Sequence, residues 1–160
     1  MATHILEPKM FYYTFGPNPP LARIRGGDTV IAQTRDARGF DAQRQPLPDE
    51  MKQRIPGTSL RESNPCVGPI YVEDAFEGDL LAVHIEQIRL NRDYGWSRQG
   101  PRFGSLTGET PGKALLYNEP IPEIFFAWEL DLQRNVGILG LPNSRIARVE
   151  VPLRPFLGSI

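Results

Sequence analysis

Residues 1–160 read as an all-β fold, an antiparallel β-barrel or sandwich of about nine or ten short strands with long irregular loops. Three observations lead there. Sixteen prolines and fifteen glycines punctuate the chain, and few windows of about 11 residues keep an apolar 3.6 period free of such a breaker. The apolar runs between breakers are short and rich in β-branched and aromatic residues, which suit a pleated surface. The corners carry turn chemistry: Gly27-Asp28 before TVIA and Gly78-Asp79 before LLAV use the same device twice, glycine supplying the unusual φ and aspartate a local hydrogen bond.

Taken in order, Met10–Phe15 (MFYYTF) is strand-like and stops at Gly16-Pro17-Asn18-Pro19-Pro20. Leu21–Ile24 and Thr29–Thr34 follow as strands around the first Gly-Asp corner. Arg35–Pro65 is polar and breaker-rich, and a connection of that length in a compact domain carries function or mobility. Met51–Ile55 reads as one helical turn, with Asp49 as its cap. The stretch from Asn64 to Ile85, NPCVGPIYVEDAFEGDLLAVHI, reads as a hairpin with a rigid Pro/Gly entrance. Its second arm opens the longest strand candidate, Leu80–Leu90. Asn91–Gly108 is a Gly- and aromatic-rich loop suited to bordering a site. Lys113–Asn118, Glu123–Leu132, Val136–Leu139 and Arg145–Val151 complete the strands, within a single β-rich domain. The apolar end, Phe156 to Ile160, predicts a longer product or an end exchanged with a partner.

A formal charge of -1 draws the chain neither to nucleic acid nor to an acidic membrane. No run reaches the roughly 20 apolar residues of a membrane span. One cysteine allows no intrachain disulfide, and with no signal-peptide pattern the expected location is cytoplasmic. Two histidines and one cysteine cannot complete a structural Cys/His zinc site. Lysine occurs only at Lys9, Lys52 and Lys113; the other cations are arginines, whose planar forks favour interfaces.

The motifs add a resemblance. Gly27-Asp28 with Thr34-Arg35-Asp36-Ala37, Asn64-Pro65 with Gly68-Pro69-Ile70-Tyr71-Val72-Glu73, and Gly78-Asp79 stand in order. Asp93-Tyr94-Gly95-Trp96, Arg102-Phe103-Gly104 and Val151-Pro152-Leu153-Arg154-Pro155-Phe156-Leu157-Gly158 follow. In this the chain resembles the N-terminal half of the acetamidase/formamidase family over about residues 24–160. The resemblance implies hydrolysis of a short-chain amide, formamide or acetamide, to carboxylic acid and ammonia. It also implies a divalent metal (zinc or calcium), and partners that are the remaining C-terminal half or another copy in a homo-oligomer. Two departures stand out: Asp74 replaces a small residue, and Gln99–Arg102 differs from the usual residues before Phe103-Gly104.

The candidate catalytic residues are Asp36 and Glu73, with Asp36 also the metal ligand, and Asn64, Trp96 and Phe103 are the candidate substrate contacts. A carboxylate at a strand end can bind a hard cation or orient a water; Asp36 can equally cap its own turn. Asp41 is a weaker candidate of the same kind. Glu73 and Asp74 are adjacent, so in a strand they face opposite ways; Glu73 joins Asp36 if the hairpin packs on the first strands. Trp96 and Phe103 either wall a small apolar pocket or anchor their own loop. His84 reads as a core residue with one hydrogen bond, and Cys66 as a small packed residue with no neighbouring base. No phosphate-cradling glycine loop or GxSxG elbow occurs. The competing expectation is a noncatalytic β-domain for binding or assembly.

Overall fold

The computed structural model describes residues 1–54, 63–100 and 122–158. The expected all-β class holds: eight strands are present among them, with a single 3-10 turn at Asp49–Met51. The chain divides into two compact units, Met1–Glu86 and Gln87–Ile160. The expected strand Lys113–Asn118 lies outside the described residues.

In the first unit, β1 (Thr3–Ile5) pairs with β3 (Thr29–Ile31), and β2 (Ala22–Ile24) with β4 (Ile70–Val72). Both ladders are parallel, unlike the antiparallel expectation for this half of the chain. The reason lies in the connections. Strands that follow one another across the Gly-Asp corner do not pair with each other; each reaches a strand distant in sequence, and β2 and β4 are joined by a long excursion.

The two Gly-Asp corners share one geometry. Asp28 donates its N–H to the Arg25 carbonyl at 3.0 Å and accepts the Arg25 N–H on Oδ2 at 3.1 Å. Asp79 does the same with Phe76, at 3.0 and 2.8 Å. Gly27 and Gly78 hold φ values of 86° and 95°, where a Cβ would be strained. Only the first corner leads into a strand. Leu80–Leu90 is not a strand, and the expected hairpin does not form: Leu81, Val83 and Ile85 are 57%, 56% and 48% exposed. Alternating apolar residues define a strand only where a second strand takes up their main-chain groups, and among the described residues none lies beside this segment.

The aromatic run Met10–Phe15 is likewise not a strand but is pinned from two sides. Phe11 bridges Lys52 in parallel and Tyr12 bridges Cys66 in antiparallel sense. Phe11, 3% exposed, is buried together with Leu6 and Leu47. Gln53 anchors the neighbouring segment: its Oε1 accepts the Tyr13 N–H at 2.8 Å, and its Nε2 donates to Thr14 Oγ1 and Asn18 Oδ1 at 3.1 and 3.0 Å. The helical turn begins at Asp49 rather than Met51, and Pro48 precedes it with no side-chain cap. Asp49 pairs with Lys52 at 2.7 Å instead of capping.

The second unit holds an antiparallel sheet in the order β5-β6-β7-β8: Tyr94–Gln99, Ile124–Asp131, Val136–Leu141 and Ala147–Pro152. Its register puts Phe126, Trp128, Leu130, Leu139, Leu141, Val149 and Val151 on one face. The other face mixes Tyr94, Trp96, Arg98, Phe125, Glu129, Ile138, Arg148 and Glu150. Gly137 lets the apolar face close up, since a Cβ there would meet Leu153 at 3.2 Å and Val151 at 3.4 Å. Trp128 Nε1 donates to Ser97 Oγ at 2.9 Å, which satisfies the indole on an otherwise apolar face. The four strands form an open sheet among the described residues.

Candidate functional site

Asp36 stands at the head of two successive five-residue loops with one design. Its Oδ1 accepts the N–H of Arg38 at 2.8 Å and of Phe40 at 2.9 Å. Its N–H donates to the Phe40 carbonyl and its carbonyl accepts the Gly39 N–H. Asp41 repeats the pattern: Oδ1 accepts from Gln43 at 2.9 Å and Gln45 at 2.8 Å, its N–H donates to Gln45 O, and its carbonyl accepts from Arg44. The fourth residue of each loop is left-handed, Gly39 at φ 85° and Arg44 at φ 63°. This is the arrangement of a type I turn closed by a left-handed residue. The sequence signal is the tandem Asp-Ala at Asp36-Ala37 and Asp41-Ala42.

Arg35 binds the two loops together, a role that sequence reasoning missed. Its Nη1 donates to the carbonyls of Gly39 and Gln45 at 3.0 and 3.1 Å, and its guanidinium lies 5.5 Å from the Phe11 ring centroid. Both bonds leave one nitrogen, while Nη2 lies 3.9 Å from Asp41 Oδ2 and the guanidinium face rests on Phe11, so one planar group serves both loops and the small core.

Asn64 reaches this region through its main chain. Its N–H donates to the Ala37 carbonyl at 2.8 Å, with Asn64 left-handed at φ 58°. Its side chain is exposed, Pro65 beside it is buried, and Cys66 Sγ donates to the Asn64 carbonyl at 3.5 Å. Two candidate residues, Asp36 and Asn64, thus stand on segments that touch.

Glu73 goes elsewhere. It accepts from Arg23 Nη1 at 3.2 Å, the Arg23 guanidinium lies 4.3 Å from the Tyr71 centroid, and the Glu73 N–H donates to Ile24 O. Among the described residues Glu73 has no hydrogen bond or ion pair with Asp36. Asp74 accepts the Gly26 N–H at 3.0 Å and so ties β4 to the first corner. Trp96 belongs to the second unit, in β5, where its ring lies 6.0 Å from that of Phe125 at 44°. Trp96 therefore sits on a strand rather than in the expected loop. Phe103 lies outside the described residues. His84 is exposed in the irregular segment rather than in a core.

Among the described residues, the carboxyl group most perturbed is that of Asp28. The N–H groups of Ala2 (2.7 Å on Oδ1) and Arg25, then His4 Nε2 (3.0 Å), hold its pKa far below the usual carboxylate range. All three partners are structural, fastening the start of β1 to the first corner.

A divalent ion needs several converging donors: three protein ligands for catalytic zinc, six or more oxygens for calcium. Among the described residues no three His, Cys, Asp or Glu side chains come together in that way, and Asp36 Oδ1 is already shared by two N–H groups. The described donors do not fit a metal centre by themselves. No helix among the described residues is long and apolar enough to cross a membrane.

Compared with protein-family models, curated proteins and solved structures, the chain finds no match in any of the three.

Proposed function

We propose that this chain is the N-terminal part of a cytoplasmic short-chain amide hydrolase of the acetamidase/formamidase kind, converting formamide or acetamide and water to carboxylic acid and ammonia. The observation that supports it is the contact between two motif-bearing segments, Asp36-Ala37 and Asn64-Pro65, through the Asn64 N–H and the Ala37 carbonyl. In this reading Asp36 takes a proton from the attacking water and passes it to the departing nitrogen. The Asn64 side-chain amide donates to the carbonyl oxygen as charge develops there. Glu73 accepts from Arg23 and has no hydrogen bond to Asp36 among the described residues, so it is assigned no proton in this reading. The resemblance adds zinc or calcium; because the described donors do not form that centre, no step is assigned to it.

Asp36→Asn tests the assignment. Asparagine keeps a side-chain oxygen for the Arg38 and Phe40 N–H groups but cannot act as the base. Ammonia release should fall by about 10²–10⁴-fold, the usual contribution of a general base, with the unfolding midpoint retained. Unchanged turnover removes Asp36 from the chemistry.

A second reading, a noncatalytic β-module for binding or assembly, is favoured by the second unit. None of the described apolar side chains in its sheet is buried, so one face is available for covering. Ammonia release by the 160-residue chain alone would rule this reading out.

A further inference from the structure

Among the described residues β8 is an outer strand, paired only with β7. The ladder tells which main-chain groups face outward. Leu153 donates to Asn135 O at 2.8 Å, so with the β7–β8 register the hydrogen-bonded positions recur at Val151 and Val149. The groups of Arg148, Glu150 and Pro152 therefore point away from β7. The Arg148 N–H turns back to Ile146 O at 2.6 Å. The Glu150 N–H and the Arg148 carbonyl are left on an exposed edge, which is a template for another strand.

We propose that β8 pairs antiparallel with β8 of a second copy of this chain, about a two-fold axis at Val149. A strand that pairs with its own copy across such an axis sets residues equidistant from the axis opposite each other. With the axis at Val149, Arg148 stands opposite the partner's Glu150, and Glu150 opposite the partner's Arg148. These are the positions whose main-chain groups face out, so each Glu150 N–H meets an Arg148 carbonyl. An axis at Arg148 or Glu150 would instead set like charges face to face, which is destabilising.

Charges on an edge strand commonly keep other strands away. Here the two charges are opposite in sign and flank Val149 symmetrically, so a second copy meets attraction at both positions. Within one chain Glu150 also binds Arg134 Nη2 at 2.6 Å and pairs with Arg148. Arg148 is exposed and can exchange its own-chain Glu150 for the partner's, while each Glu150 keeps its Arg134 pair. The contact joins two four-stranded sheets edge to edge and does not depend on the hydrolytic reading.

Sedimentation of the full chain and of two charge reversals tests this register. Wild type should run at the mass of two chains. Arg148→Glu alone sets Glu opposite Glu, and Glu150→Arg alone sets Arg opposite Arg, so each should run as one chain with its circular dichroism retained. Mixed in equal amounts, the two variants restore both pairs and should return to the mass of two chains. That rescue is not expected of a variant that merely misfolds. Wild type at the mass of one chain, single variants that remain paired, or a mixture that stays at one chain would each overturn the proposal.

Discussion

The Asp28 carboxylate gathers the N–H groups of Ala2 and Arg25 and the His4 ring, and these hold its pKa below the ordinary 3.8. A carboxylate depressed on folding stabilises the native state above its unfolded value, and that stabilisation is lost as pH falls through the folded one. Thermal unfolding followed from pH 7 downward should show a loss of stability that begins below about pH 4, and Asp28→Asn should flatten it. Arg35 offers a second test. Lysine has one nitrogen in place of two, so it cannot keep the Gly39 and Gln45 carbonyls together with the approach to Asp41 and the planar face on Phe11; Arg35→Lys should cost about 1–2 kcal/mol in denaturant unfolding. Asp36 was legible as a candidate because it ends a strand-like run and opens a polar loop. Its bonds to Arg38 and Phe40 were foreseeable as the turn-capping alternative. The role of Arg35 was not legible, since its second carbonyl partner lies ten residues away and no local pattern encodes that reach.

At the scale of elements, the paired loops Asp36–Phe40 and Asp41–Gln45 form a natural experiment. Gly39 is left-handed at φ 85°, and a Cβ there would stand 3.3 Å from Leu47 Cβ. Gly39→Ala should therefore lower stability by about 1–3 kcal/mol, combining backbone strain with overpacking. Arg44 occupies the same place in the second loop at φ 63°. Arg44→Gly should be neutral or stabilising by up to about 1 kcal/mol, because glycine adopts that φ without a Cβ penalty. Equal effects of the two changes in a urea titration would contradict the shared design. Turns and corners were the most legible elements: both Gly-Asp corners take the form their residues dictate locally. Strands were less so, because each needs a partner. Ile70–Val72 found one in Ala22–Ile24, whereas Leu80–Leu90, with the better alternation, did not. Parallel pairing in the first unit depends on connections that no short window of sequence describes.

For the molecule as a whole, the sequence favoured many short strands over helices, and the described residues bear this out. The division into Met1–Glu86 and Gln87–Ile160 was not read from composition, since prolines and glycines are spread through both parts. The hydrolytic reading rests on the first unit, where the Asp36 loop and the Asn64 corner adjoin. The assembly reading rests on the second, where an apolar sheet face and the β8 edge are available. The most direct test of the hydrolytic claim is ammonia release from formamide and acetamide by the native gene product, with wild type and Asp36→Asn compared at matched folding. Release by wild type that is lost in Asp36→Asn is the predicted result; equal release by the two, or none by wild type with either amide, would contradict it.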